Sequence, residues 1–120
     1  MGVQNNECVI ATTWDEKVIP LVRDWISTLA DDEQSVFVIV DSVVNEKTTI
    51  FMGPDGSKKG WDTAIRFEKV RDAFIEFLTS FDYDDESNPF DFIEVGYGEY
   101  GQKVLRGNCT NCYGDEDYAI

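Results

Sequence analysis

Lys47-Thr-Thr-Ile-Phe-Met52, Gly53-Pro-Asp-Gly56, Ser57-Lys-Lys-Gly60 and the run 61–81 decide how this chain folds. The first piece is β-branched and apolar, as a strand prefers. Pro54 presets φ for the second position of a turn, and Gly53 and Gly56 are free to take the positive φ of a tight reversal. Beyond the short basic loop, Phe67, Val70, Phe74, Phe77 and Leu78 recur in steps of three and four, which sets them on one face of a helix over 63–80. The rest of the chain then has to cover that face.

Toward the N-terminus, Glu7-Cys-Val-Ile-Ala-Thr-Thr-Trp14 reads as a strand. Val18, Leu21, Val22, Trp25, Ile26 and Leu29 follow with the period of a second amphipathic helix. Thr13 and Glu16 fit a capping box, yet that start leaves Pro20 inside the helix, so a start near Lys17 or a kink is expected. Asp31-Asp-Glu33 is expected to be loop, because acids at a helix C-terminus oppose its dipole. Ser35-Val-Phe-Val-Ile-Val40 is continuously apolar and reads as a well-buried strand. On the other side, residues 81–89 form an acidic loop that Pro89 closes, and residues 90–97 alternate as a strand. Gly98-Glu-Tyr-Gly101 turns the chain back into a closing strand over 102–106.

The order is β-α-β-β-α-β with one more strand. It predicts an α+β fold of the ferredoxin-like split βαβ kind, two helices on one face of an antiparallel sheet. Residues 1–106 are expected to form a single domain and 107–120 a polar, partly flexible tail. No stretch matches a family pattern closely enough to carry a resemblance.

Charge narrows the function more than any motif. The 120 residues include 24 acidic and 10 basic side chains and no histidine, a net charge of −14. A hydrophobic fraction of 42% still supports a packed core. Direct binding to nucleic acid or to an anionic membrane needs a basic footprint, so both are disfavoured. A basic protein partner, or simple solubility, fits instead. Without histidine, Ser-His-Asp, Cys-His and His-metal catalysis are excluded, and the chain reads as non-enzymatic. No basic leader precedes an apolar segment and no apolar run nears the roughly 20 residues of a membrane span, so a cytosolic protein with reduced thiols is expected.

Four motifs invite chemistry. Cys109-Thr-Asn-Cys112 has the spacing of a zinc or redox dithiol, with Cys8 as a third thiolate and Asp115 or Glu116 as a fourth ligand; alone it is half a zinc site. The 53–60 loop resembles a phosphate cradle without the full spacing. Lys58, Lys59, Arg66, Lys69 and Arg71 gather near it, either to hold a small anion or to neutralise neighbouring acids. Asp82, Asp84, Glu86 and Asn88 alternate as in a calcium loop, but Ser87 and Ile93 stand where Gly and Glu are required. Asp41 ends an apolar strand, a placement that serves metal-dependent catalysis if a second carboxylate converges on it.

The acidic surface is the richer signal. Glu68, Asp72 and Glu76 lie one turn apart on the helix face turned from the core. Asp82, Asp84, Asp85 and Glu86 come next, interleaved in this region with Phe81, Tyr83, Phe90, Tyr97 and Tyr100. Aromatic anchors with carboxylates around them suit a surface that occupies a basic cleft on another protein. The candidate partner-binding residues are therefore Glu68, Asp72, Glu76, Asp82, Tyr83, Asp84, Asp85 and Glu86. The expected function is masking or inhibition of a basic partner. A nucleic-acid mimic from a phage or mobile element fits, as does a toxin-immunity protein. The alternative is a small metal- or ligand-binding domain using Cys109 and Cys112 or the 53–60 loop. Exposed edge strands, the closing hairpin above all, also allow a homodimer.

Overall fold

A computed structural model describes residues 5–109. Five strands form one antiparallel sheet in the order β2-β3-β1-β4-β5, with three helices. The strands are β1 (Asn5–Thr13), β2 (Phe37–Asp41), β3 (Thr48–Met52), β4 (Phe90–Gly98) and β5 (Gly101–Gly107). The helices are α1 (Ile19–Ser27), α2 (Asp31–Gln34) and α3 (Asp62–Thr79).

The core lies between α1, α3 and one sheet face. Alternate residues of the central strands supply it, among them Val9 and Ala11 of β1, Ile50 and Met52 of β3, and Phe90 and Phe92 of β4. Helix α3 meets them with Phe67, Val70, Phe74, Ile75 and Leu78, the face its periodicity predicts, with Phe77 at the margin. Trp25 of α1 stacks on Phe74 and Phe77 at 5.4 and 5.3 Å, and Phe37 meets Phe74 edge-on at 5.1 Å. Aromatic pairs in these geometries add to the area they bury.

Of the two outcomes open at Pro20, a late start and a kink, the molecule takes the late start. A single 3-10 turn, Glu16–Val18, precedes α1 and leaves the proline in its first turn, where no hydrogen bond is lost. Four other expectations are corrected by the structure. Asp15, not Thr13, caps the 3-10 turn, accepting from the Lys17 amide at 3.0 Å, while Thr13 Oγ1 accepts from the Asp15 amide. Asp31, Asp32 and Glu33 are helical, because α1 ends at Ser27 and these acids open α2 at its favourable end. Strand β2 is an edge, not a buried strand: Phe37 and Ile39 face the core side, while Val38 and Val40 are 52% and 53% exposed on the face that no helix among the described residues covers. Gly53 keeps negative φ, donating to the Val36 carbonyl at 2.8 Å, and Gly56 and Gly60 take the positive φ of the turn instead.

The closing strand reaches Gly107, and Asn108 continues its attachment. The Asn108 side chain accepts from the Phe92 amide at 2.9 Å and donates to the Phe90 carbonyl at 2.7 Å. The remainder of the expected tail, 110–120, lies outside the described residues.

Candidate interaction surface

Glu68, Asp72 and Glu76 form an exposed ridge along α3, one residue per turn. The helix stops at Thr79, and the Asn88 side chain fastens the loop beyond it by donating to the Leu78 carbonyl at 2.8 Å and to Asp82 at 2.7 Å. Asp82, Tyr83, Asp84, Asp85 and Glu86 are all exposed in this loop, Tyr83 to 48%. Backbone bonds from Tyr83 to the Ser87 carbonyl and from Glu86 to the Tyr83 carbonyl shape it, with Glu86 in the left-handed region at φ 70°. Ser87 donates to Asp85 from both its hydroxyl and its amide, which holds the Asp85 carboxyl below the usual range.

Pairing separates these acids. Asp72 is engaged by Arg106 at 2.8 Å. Glu68, Glu76, Asp82, Asp84, Asp85 and Glu86 take part in no ion pair among the described residues. The aromatics separate too. Phe81 and Phe90 pack against each other in the interior, whereas Tyr83, Tyr97 and Tyr100 reach the surface. Tyr97 and Tyr100 lie at the far end of β4, about 25 Å along the strand from the 82–86 loop, so only Tyr83 anchors that patch.

Beside the ridge lies an ion cluster that no sequence motif singles out. Arg71 of α3 is 5% exposed and Glu94 of β4 is 3% exposed. Arg71 reaches Glu7 at 3.1 Å, Glu94 at 3.7 Å and Asp55 at 3.8 Å; Arg106 binds the other oxygen of Glu94 at 2.6 Å. Glu94, with Asp72 adding to it, holds the Arg106 guanidinium well above its ordinary pKa. Arg71 Nε and Nη1 have no hydrogen-bond partner among the described residues. A cleft of about 130 Å³ opens here, lined by Glu7, Asp55, Ser57, Lys59, Glu68 and Arg71. The signal was present in periodicity: Glu94 shares a strand face with Phe90 and Phe92, and Arg71 a helix face with Phe67, Phe74 and Leu78.

Of the five basic residues near the 53–60 loop, Lys59 and Arg71 line this cleft together, and Lys58, Arg66 and Lys69 do not. Arg66 turns to α2, where it pairs with Asp32 at 2.5 Å and Glu33 at 3.5 Å and holds the Asp32 carboxyl below its usual range. Arg71 turns inward, and Lys59 and Lys69 stay exposed. Asp41 accepts from Thr48 Oγ1 at 3.1 Å at the exposed end of β2. Cys109 is exposed beside the Phe92 carbonyl, and burial, with the charge of Asp91 adding to it, pushes its thiol pKa up. Cys112, Asp115 and Glu116 lie outside the described residues. Cys8 pairs with Val95 across β1 and β4, whereas Cys109 follows a residue bonded to Phe92, so the two sulfurs are separated by roughly 10 Å or more and cannot share one zinc ion. Among the described residues no group of three or more metal-ligating side chains converges, and no helix is long and apolar enough to cross a membrane. Among protein-family models, curated proteins and solved structures alike, nothing matches this chain.

Proposed function

We propose that the protein is a non-enzymatic acidic interaction protein that docks on a basic partner and masks it. The observation that carries this reading is the run of unpaired, exposed carboxylates from Glu68 and Glu76 into Asp82, Asp84, Asp85 and Glu86, with Tyr83 among them. Carboxylates without an internal cation lose no ion pair when they meet a cationic surface, and their summed field speeds encounter. A tyrosine at their centre supplies area that charge alone does not. Placed in a groove that ordinarily holds phosphates, such a ridge acts as a nucleic-acid mimic of the phage or mobile-element type; placed over a basic toxin site, as an immunity protein. The scaffold fits the ferredoxin-like reading, since β3 lies between β1 and β2, β4 lies on the other side of β1, and β5 extends that edge.

The test compares the tagged protein with a Glu68→Lys/Glu76→Lys/Asp84→Lys variant in capture from cells, with elution by a salt gradient and competition by duplex DNA. A stoichiometric basic protein should bind the parent, elute as salt rises and be lost by the variant. Displacement by DNA selects the mimic over the immunity role. Equal capture by both proteins sinks the proposal. The Arg71 cleft favours a second reading, a small-ligand site beside the 53–60 loop. A thermal shift with inorganic phosphate or a zwitterionic amino acid, abolished by Lys59→Ala, would move the assignment there.

A further inference from the structure

The face of the sheet opposite the helices carries an apolar surface that the core does not use. Register places Val38, Phe51, Ile10 and Ile93 side by side across β2, β3, β1 and β4. A second row runs from Cys8, itself only 3% exposed, through Val95 to Val104 of β5. Ile10, Phe51, Ile93 and Val95 are only part-buried and stand apart from the core cluster, and Val104 is 61% exposed. Asp91 is the one charged side chain at the strand positions of this face among the described residues, in a chain whose net charge is −14.

We propose that this face seats a second copy of the chain, sheet against sheet. Charge selects that occupant. Two copies at −14 repel wherever their acidic surfaces meet, and this face is the place where they can approach without opposing carboxylate ridges. Two sheets pack about 10 Å apart, which leaves each α3 ridge on the outside and the two ridges on the order of 30 Å from each other, several Debye lengths at physiological salt. Area agrees. Five strands about 4.8 Å apart and about five to nine residues long present a face of roughly 500 to 600 Å² in projection, the same order as the roughly 800 Å² per partner of a stable interface. A twofold axis through the face makes the contact self-complementary and closed. This dimer leaves the Glu68-to-Glu86 surface free for another protein.

Sedimentation equilibrium of the full chain tests it. The expected mass is twice 13.7 kDa at about 100 µM protein, with association strengthening as NaCl rises because screening removes repulsion while apolar burial persists. Capture of a basic partner weakens with the same salt, so the two proposals fail separately. Val38→Glu and Val104→Glu, each at an exposed strand position, should weaken association at least about tenfold with the circular dichroism unchanged, and Val43→Glu in the fully exposed β2–β3 turn should not. A parent protein that stays monomeric overturns the proposal. So does a dimer indifferent to both face variants, which would assign the contact to edge-strand pairing.

Discussion

Arg71 shows how much one side chain is asked to do in this acidic protein. It is buried against three carboxylates, from β1, the 53–60 loop and β4, and two of its nitrogens lack a hydrogen bond among the described residues. A buried charge is costly to desolvate, and removing one member of such a cluster leaves the others uncompensated. Arg71→Ala should therefore lower unfolding stability by about 3–5 kcal/mol. Arg71→Met with Glu94→Gln should cost less than the sum of the single changes, a coupling of about 0.5–3 kcal/mol in a urea double-mutant cycle. Additive losses would show that the two groups do not sense each other. At the surface, Asp85 offers a pH test. Its folded pKa lies below the unfolded value, so its stabilising contribution is complete above the ordinary aspartate range and is lost as pH falls through the depressed value. An NMR carboxyl titration should find its midpoint low, and Ser87→Ala should return it toward the ordinary range. A midpoint unmoved by Ser87→Ala would place the cause elsewhere.

Among the elements, the least expected attachment is that of β5. Every residue of this strand is exposed, and its register slips at Glu94/Val95. Asn108 lies just past its end and satisfies both the Phe92 amide and the Phe90 carbonyl, which would otherwise be left unpaired beside the core. Asn108→Ala removes two hydrogen bonds at about 1 kcal/mol each and should cost about 2 kcal/mol. Hydrogen exchange at the Phe92 amide should accelerate with it; unchanged protection would mean that the strand holds without the clamp. Asn108 falls in the segment the composition marks as tail, because a single asparagine among polar neighbours carries no periodicity. The elements that were legible are those with repeating apolar positions: α3, α1, β1 and β4. Those misread depend on what lies across from them. The run 35–40 looks buried because both of its faces are apolar, but only tertiary layering shows that one face has no helix over it among the described residues. Asp31 to Glu33 looks like loop until the end of α1 at Ser27 is known. The acidic ridge was legible from helical spacing, whereas the split of its aromatics into interior Phe81 and Phe90 and exposed Tyr83 required the fold.

For the molecule as a whole, charge sets the largest unbalanced term. Three arginines, Arg66, Arg71 and Arg106, make all the ion pairs among the described residues, so most of the acids face solvent without a cation. A net charge of −14 on 120 residues pushes the folded state apart from within, since folding brings those carboxylates closer together than they are in the open chain. Salt acts on this in two opposed ways. It weakens the exposed pairs such as Arg66–Asp32, and it screens repulsion between unpaired acids over the Debye length of about 8 Å at physiological strength. Exposed pairs contribute little, and the buried Arg71–Glu94 contact is shielded from ions, so the repulsive term should win. Raising NaCl from about 0.01 to about 0.3 M should move the urea midpoint upward, with the slope of the transition unchanged. The Glu68→Lys/Glu76→Lys/Asp84→Lys variant, whose net charge rises by six from −14 to −8, should start from a higher midpoint at low salt and gain less from added salt. If the parent midpoint falls instead, its stability rests on the few ion pairs rather than being limited by repulsion. The free carboxylates would then be no internal burden for a basic partner to relieve.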